Sequence, residues 1–364
     1  MTITPESTLF QPVSLGSMKL GNKLVMAPMT RSRALLDGDI SDAQVEYYAQ
    51  RASAGLIISE ATQVWRIGGG AYLSTPGIYT DEHEVGWKRV AEAVHERGGK
   101  FVVQLWHVGR HAHSAINGLG AVAPSAIQTE ISTFIGPEGD SEGKSRVGLP
   151  HALTIPEIHA TQQDFADAAE RAVRAGADGV EIHGAGSYLP QQFLAEGANQ
   201  RTDEYGGSPQ NRARFVIELV NKVVDAVGAD RVGIKISPGL PIGELGETDP
   251  WSTYEVLLNA IAPLELAYLH AMYRIDDPVV DRVRRIWPGK FLLSSGFNGP
   301  VTEDDYQEAI ERNRIDAAVI GRNFLANPDF VERLLISAEL NAAKPEHFYA
   351  GGDTGYIDYP TLWV

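Results

Sequence analysis

The chain has 364 residues, of which 43% are hydrophobic, and a formal net charge of -16 at pH 7. This length suffices for one large α/β barrel or two ordinary domains, and the acidic balance argues against a nucleic-acid partner. The chain has no cysteine, which excludes disulfides, thiolate zinc sites and cysteine-ligated iron–sulfur clusters. We find no apolar run of about 18 residues that would predict a membrane span. The N-terminal MTITPESTLF lacks the pattern of a signal peptide, so we expect a cytoplasmic protein.

The first part of the chain alternates short apolar runs with helical patterns. Residues 9–20 alternate apolar and polar positions around a glycine, which predicts a short hairpin or lid. Residues 107–155 are rich in Gly, Ser, Pro and His, and they predict a long excursion over one face that could cover an active site. Between and around them we predict strands over 24–28, 55–60 and 101–105 and helices over 42–54 and 82–97.

The rest of the chain repeats one strand–helix unit. Eight short apolar strands alternating with helices predict the α/β class and a (β/α)₈ TIM barrel, with residues 1–364 as a single domain. Uninterrupted apolar strands fit a sheet that is covered on both faces. A doubly wound sheet is the alternative, but no GxGxxG follows an early strand. The remaining strands are predicted over 179–183, 232–237, 266–270, 290–296 and 317–321, and the helices over 161–175, 211–227, 251–262, 277–287, 303–313 and 330–340.

Nearly every predicted strand ends in a polar residue or a glycine. The carboxyl ends of barrel strands share one face, and that face carries the chemistry of such barrels. Polar side chains in a crowded mouth are costly unless they bind something, although they could instead satisfy one another and the loops. These strand-end residues are Thr30, Glu60, Thr62, Gln104, His107, His183, Lys235, His270, Ser295, Gly296, Gly321 and Arg322.

Two of these strand ends suggest specific chemistry. His183 ends the fourth strand, and Tyr188 follows five residues later. A neutral imidazole can donate a hydrogen bond to a substrate oxygen and a phenol can donate a proton, so the two form a candidate catalytic pair. Gly296, Gly321 and Arg322 end the seventh and eighth strands, which is the usual phosphate position in such barrels. Ordinary turns that require glycine are the alternative there.

Six motifs span nearly the whole chain. They are LFQPVSLGSMKLGNKLVMAPMTRSRA (9–34), QRASAGLIISEAT (50–62), QLWHVGR (104–110), NQRTDEYGGS (199–208), GRNFLANPD (321–329) and FYAGGDTGYIDYP (348–360). In these motifs and their order the chain resembles the Old Yellow Enzyme family of flavin-dependent ene reductases, close to its bacterial nitroester, maleimide and morphinone reductases.

The resemblance implies a bound FMN whose ring lies over the barrel mouth. The Thr30 hydroxyl would approach the O4 side of the ring, and Lys235, where the family usually has an arginine, would lie near N1 and O2. A lysine keeps the positive charge but lacks the planar fork, so we predict a retained but less rigid contact. The residues implied to bind FMN are Ala27, Pro28, Met29, Thr30, Ala61, Gln104, Lys235, Ser295, Gly296, Phe297, Gly321 and Arg322.

The resemblance also implies a reaction in two halves at one pocket. NADPH or NADH would reduce the flavin, and an α,β-unsaturated carbonyl compound, a nitro compound or a nitroester would then take the hydride in a ping-pong sequence. His183 would bind the activating oxygen, and Tyr188 would protonate the α carbon while hydride passes from flavin N5 to the β carbon. The implied pocket walls are Tyr72, Trp106, Gly186, Met272 and Tyr356.

One position departs from the family pattern. Family members carry His or Asn three residues after the first histidine, whereas this chain has Gly186. Losing one donor to a developing oxyanion costs about 3–4 kcal/mol of transition-state stabilisation. Three functions therefore stay open. The chain is an ene reductase acting on electron-poor alkenes, a flavin-binding barrel with impaired ene reductase activity, or a non-flavin lyase or aldolase acting on a sugar phosphate. We assign no metal site and no membrane partner, and we expect a monomer or homodimer.

Overall fold

The computed structural model describes residues 3–295 and 301–362. Their strands are β1 (Val13–Leu15), β2 (Met18–Leu20), β3 (Leu24–Met26), β4 (Leu56–Ile58), β5 (Thr62–Gln63), β6 (Phe101–Trp106), β7 (Val122–Ala123), β8 (Ser132–Phe134), β9 (Lys144–Arg146), β10 (His151–Ala152), β11 (Gly179–Gly184), β12 (Val232–Ile236), β13 (Tyr268–Met272), β14 (Phe291–Ser294) and β15 (Ala317–Ile320). Their α-helices are α1 (Asp42–Ala49), α2 (Asp81–Glu96), α3 (Ser114–Asn117), α4 (Ile155–Arg174), α5 (Leu189–Leu194), α6 (Pro209–Val227), α7 (Pro250–Ile261), α8 (Pro278–Ile286), α9 (Glu303–Glu311), α10 (Arg322–Ala326) and α11 (Phe330–Leu335).

Eight parallel strands close into a barrel. Neighbouring strands pair in the order β3, β4, β6, β11, β12, β13, β14 and β15, and β15 pairs with β3 to complete the circle. Every residue of β6, β11 and β12 is buried, as expected for a sheet that is covered by helices outside and packed inside. The (β/α)₈ prediction is confirmed, and the closed circle rules out the doubly wound alternative. No helix in the described part of the chain is long and apolar enough to cross a membrane.

The predicted N-terminal hairpin closes the barrel at its N-terminal end. Strands β1 and β2 pair antiparallel, and Leu15, Met18 and Leu20 join the apolar cluster of the barrel interior. The turn lies against the chain just before β12, where Ser17 N donates to Asp230 O at 3.1 Å. A Cβ at Gly16 would lie 2.0 Å from that oxygen, so only glycine fits. The lid is therefore opposite the strand ends that carry the polar side chains.

The region 107–155 forms the predicted excursion and has more local structure than its composition indicated. It contains α3, a parallel pair of short strands (β7 and β10) and an antiparallel hairpin (β8 and β9). Two contacts hold it over the loop that follows β12: Glu130 N donates to Glu244 Oε2 at 3.1 Å, and Arg110 Nη2 donates to Gly243 O at 2.6 Å. The excursion thus lies on the C-terminal side of the barrel.

Several predicted boundaries were wrong. Helix α4 begins at Ile155 rather than at residue 161, because Thr154 and Glu157 form a capping box at its start. Strand β13 is shifted by two residues from 266–270, since the Ala267 N–H is bonded to loop and strand carbonyls before the barrel ladder begins. Helices α1 and α11 end at Ala49 and Leu335, earlier than predicted. The end of the predicted strand 290–296 lies partly outside the described residues.

Candidate active site

The C-terminal ends of the barrel strands bring polar side chains together at one mouth. Strand register places His183 beside Lys235, and Lys235 beside His270. Gln104 lies beside Glu181 across the β6–β11 pair. All five side chains are buried. The structure thus gathers four of the strand-end residues that the sequence singled out and adds Glu181, a strand residue that our sequence analysis gave no role.

Glu181 is the centre of a buried hydrogen-bonded network. Its Oε2 is 2.9 Å from His270 Nδ1, and its Oε1 accepts from Gln104 Nε2 at 2.6 Å. The other ring nitrogen of His270 is 3.0 Å from Ser294 Oγ. Burial favours a higher pKa for Glu181, but the charges of His270 and Lys235 and the hydrogen bonds outweigh it and hold that pKa below its ordinary value. The carboxylate therefore stays ionised and balances Lys235.

Lys235 presents a buried ammonium group at the mouth. Its side chain is 7% exposed, and among the described residues only the charge of Glu181 favours its protonated form. Burial lowers the pKa of Lys235, and Glu181 opposes that change. A buried cation without a hydrogen-bonding side chain is costly unless a ligand supplies an acceptor. Lys235 therefore fits the electron-rich edge of an anionic ligand.

His183 and Tyr188 lie side by side at the end of β11. Their ring centroids are 5.0 Å apart and the ring planes are nearly perpendicular, at 82°. Burial, and then the charges of Lys235 and His270, lower the pKa of His183 well below its ordinary value, so the imidazole is neutral. Burial, and then the neighbouring Tyr72, raise the pKa of Tyr188 well above its ordinary value, so the phenol stays protonated. The pair offers a neutral hydrogen-bond donor and a proton source.

Gly186 lies between these two residues in the chain and against both in space. Its φ is +67°, and a Cβ built there would lie 3.2 Å from Tyr188 Cε2 and 3.5 Å from His183 Cε1. Its N–H donates to Ser237 Oγ at 3.1 Å. The position at which the family carries a second donor is therefore a left-handed turn without a side chain.

Aromatic side chains line the mouth beside Tyr188. Trp106, the last residue of β6, meets Tyr188 edge to face at 5.2 Å, and Tyr72 lies 6.3 Å from Trp106. The Trp106 Nε1–H is buried and has no acceptor among the described residues. Tyr349 stacks on Tyr72 at 5.6 Å and is 55% exposed. Tyr349 is not among the predicted site residues, and its only signal in the sequence is its position within the motif 348–360.

The residues expected under the flavin form a continuous surface between β3 and β15. Ala27 N donates to Ile320 O at 3.0 Å, which joins the two strand ends. A Cβ at Gly321 would lie 3.3 Å from Met29 Sδ and 3.8 Å from the Ala27 Cβ. Arg322 begins α10 and is exposed. Pro28 and Thr30 extend the same segment beyond β3, half-buried.

Other residues implied to bind FMN have mixed surroundings. No carbonyl among the described residues accepts a backbone hydrogen bond from Ala61 N, which lies just after β4. Ser295 is already engaged, because its Oγ accepts from Ile275 N at 3.2 Å. Gly296 and Phe297, which were implied to hold the phosphate, lie outside the described residues. The Ser295 N–H is engaged as well, since it donates to Tyr306 Oη at 3.0 Å, whereas the Ala61 N–H has no such acceptor.

Two implied wall residues are buried. Met272 ends β13 with 6% of its surface exposed. Tyr356 has no exposed surface, stacks on Tyr47 at 4.2 Å and lies 5.1 Å and 4.8 Å from the guanidinium carbons of Arg31 and Arg33. Both arginines donate to backbone carbonyls within residues 347–355. The structure thus places Tyr356 in the anchor of the segment that carries Tyr349, and its contact with substrate stays a prediction.

A family model, curated proteins and solved structures resemble this chain over most of its length. The model of the NADH:flavin oxidoreductase / NADH oxidase family matches residues 8–341. A probable flavin mononucleotide-dependent alkene reductase of Leishmania infantum is 38% identical over 97% of both chains. 12-Oxophytodienoate reductase 7 of Oryza sativa subsp. japonica is 38% identical over 98% of this chain and 95% of its own. The solved structure of morphinone reductase in complex with tetrahydroNAD is 44% identical and covers 97% of both chains, with a TM-score of 0.89.

Proposed function

Because the chain belongs to the NADH:flavin oxidoreductase / NADH oxidase family and is an Old Yellow Enzyme homologue, we propose that it reduces the C=C bonds of α,β-unsaturated carbonyl or nitro compounds. It is an FMN-dependent oxidoreductase that takes electrons from a nicotinamide dinucleotide. The observation that carries the proposal is the pair of a neutral His183 and a protonated Tyr188, 5.0 Å apart between ring centroids at the barrel mouth.

The two side chains have complementary roles in this reaction. His183 donates a hydrogen bond to the carbonyl or nitro oxygen, which draws electron density from the C=C bond and stabilises the charge that develops on that oxygen. Tyr188 then transfers its phenolic proton to the α carbon, and the phenolate regains a proton from solvent. One hydride at the β carbon and one proton at the α carbon saturate the bond, and one reduced nicotinamide is oxidised.

The mouth has the donors that FMN requires. Lys235 supplies a positive charge, Ala61 a backbone N–H and Gln104 a side-chain amide, and Gly321 allows close approach beside Met29. When bound, FMN accepts a hydride from the nicotinamide and delivers it to the alkene. A lysine at position 235 keeps the positive charge that favours the reduced, anionic ring, but its ammonium group lacks the two parallel N–H donors of an arginine guanidinium.

One mouth serves both reactants in this proposal. The hairpin closes the opposite end of the barrel, and the excursion lies over the C-terminal side. The nicotinamide and the alkene would therefore occupy the same surface in turn, which is the basis of a ping-pong sequence. An obligatory complex of enzyme, nicotinamide and alkene together would contradict it.

The relatives' names point toward cyclic enones as substrates. An oxophytodienoate reductase and a morphinone reductase are each at least 38% identical to this chain over nearly its whole length. The aromatic surface of Trp106, Tyr72 and Tyr349 beside Tyr188 suits a flat, electron-poor ring. Cyclohexenone is the simplest probe of that class. The cytoplasmic location and a monomeric or homodimeric state remain parts of the proposal.

Gly186 favours a second candidate, a flavoprotein that is reduced by nicotinamide but turns over alkenes poorly. The left-handed turn at this position carries no side chain, so Gly186 supplies no second donor beside His183 for the substrate oxygen. Gly186→Asn would add a donor, and asparagine tolerates a positive φ better than other residues do. A gain of about a hundredfold in alkene reduction would favour the impaired reading. No gain would favour a competent site if Gly186→Ala, which places the same Cβ against Tyr188, keeps normal alkene turnover.

The direct test is anaerobic absorbance of the purified protein. We would add NADPH, or NADH in a parallel run, and then cyclohexenone while following the flavin band. We expect bleaching by the nicotinamide and recovery with the enone. Bleaching without recovery would support the second candidate, and a colourless protein that takes up no FMN would contradict both. Tyr188→Phe serves as the matched variant, since it removes the proton while leaving the ring contacts in place.

A further inference from the structure

Ser187 occupies a backbone conformation that serine rarely adopts. Its φ is +66°, directly after Gly186 at +67°, so two successive residues before Tyr188 are left-handed. A Cβ makes this region unfavourable for serine, and the surroundings must hold it there. The side chain is 1% exposed, so the strained residue is enclosed by protein.

Each polar group of Ser187 has a partner. Its N–H donates to Gln191 Oε1 at 2.9 Å, and its carbonyl accepts from Gln192 Nε2 at 2.8 Å. Its hydroxyl donates to the carbonyl of Gly186 and lies 2.9 Å from His111 Nε2. The Ser187 hydroxyl and the His111 ring are therefore hydrogen-bonded, and the tautomer of His111 decides which of them donates. This contact ties the left-handed turn to His111.

His111 also braces the proposed proton donor directly. Its ring meets the ring of Tyr188 at 5.4 Å and 65°. Burial, and then the charge of Arg110, lower the pKa of His111 to about 4, so the ring is neutral at physiological pH. His111 belongs to the short 3₁₀ helix Gly109–His111 in the excursion, so it links the cover of the mouth to the loop beneath it.

We propose that Ser187 and His111 form a positioning pair that fixes the phenol of Tyr188 for proton transfer to the substrate. The hydrogen bond holds the left-handed turn before Tyr188, and the His111 imidazole packs against the phenol ring, which His183 and Trp106 also contact. Neither residue touches the substrate in this role. The inference rests on the proposed function, because it assigns Tyr188 as the acid.

The test separates the two half-reactions in stopped-flow experiments on the FMN-loaded enzyme. We compare Ser187→Ala, Ser187→Gly and His111→Phe, the last of which keeps an aromatic ring but removes the hydrogen bond. Bleaching of the flavin by NADPH or NADH should be unchanged, and reoxidation by cyclohexenone should slow by about tenfold to a hundredfold. Ser337→Ala is the matched control, because Ser337 is also left-handed, at φ +52°, but is exposed beyond α11.

A double-variant cycle distinguishes positioning from general loosening. If Ser187 acts through Tyr188, Ser187→Ala should add no further slowing in a Tyr188→Phe background. Equal slowing in both backgrounds, or slower bleaching as well, would overturn the proposal. If Tyr188→Phe alone leaves reoxidation unchanged, the assignment of Tyr188 as acid fails; if only Ser187→Ala and His111→Phe are silent, the positioning pair fails and that assignment stands.

A readout without turnover completes the test. With ¹³Cζ-labelled tyrosine, the Tyr188 resonance is identified by its loss in Tyr188→Phe. We expect it to shift or broaden in Ser187→Ala and His111→Phe, with and without FMN, and to stay in place in Ser337→Ala. An unchanged resonance in both site variants would overturn the proposal even if their turnover fell.

Discussion

Replacing Gly186 with alanine should destabilise the protein more than the backbone conformation alone explains. At φ +67° any L side chain costs about 1–2 kcal/mol. The new Cβ would also lie 3.2 Å and 3.4 Å from two ring carbons of Tyr188, which is tighter than ordinary van der Waals contact. Displacing a packed ring adds about 1–3 kcal/mol. We therefore expect a total loss of about 2–5 kcal/mol in the free energy of unfolding.

Gly98 offers a matched control for the conformational part. It follows α2 with φ +81°, and a Cβ there would meet nothing within 4 Å. Gly98→Ala should therefore cost only the left-handed conformation, about 1–2 kcal/mol. Chemical denaturation of both variants, each loaded with FMN, gives the difference, which isolates the contact with Tyr188. Equal losses within about 0.5 kcal/mol would refute the contact, and normal alkene turnover in Gly186→Ala would show that the phenol was not displaced.

Three further predictions concern buried titratable side chains. Burial lowers the pKa of His111 from 6.5 to about 4 and of His107 to about 3, so the unfolded chain takes up protons first as the pH falls below about 6.5. Denaturation at pH 6.5 and at pH 5 should show that the free energy of unfolding falls by about 1.5 kcal/mol per histidine, and His111→Phe should reduce that loss. Glu181→Gln should lower the free energy of unfolding by about 3–5 kcal/mol, because it leaves the Lys235 charge without its partner, and adding Lys235→Met should recover part of that loss. An unchanged free energy of unfolding in Glu181→Gln would contradict the pairing. Lys235→Met should weaken FMN binding by about tenfold or more in fluorescence titration, whereas Lys235→Arg should not; equal affinities for all three proteins would exclude Lys235 from the flavin site.

The barrel was predictable because its signals are local. Each strand is a short apolar run that is buried along its whole length, and each helix follows with its own period. The start of α4 was missed even though Thr154, Pro156 and Glu157 carry a local helix-start signal. Helix α5 was missed because six buried residues directly after the strand-end loop show no amphipathic period. The hairpin of β8 and β9 lies in a segment whose composition resembles a loop.

The candidate site was predictable only in part. Strand ends and family motifs indicated His183, Tyr188 and Lys235, since position along a barrel strand fixes which face a residue reaches. The contact between His111 and Ser187 joins residues that are 76 positions apart, and no spacing pattern in the sequence predicts it. The same holds for Glu181, because a carboxylate inside an apolar strand pattern reveals its partners only when the barrel closes.

The hairpin of β1 and β2 bears on how this enzyme can diversify. Leu15, Met18 and Leu20 fill the barrel at the end farthest from the reacting groups. Substitutions that improve packing there can raise folding robustness while leaving the mouth untouched. That reserve can offset destabilising changes among the aromatic residues that select the alkene. Substitutions that stabilise the fold can therefore accumulate at one end of the barrel, while substitutions that change the substrate occur at the other end.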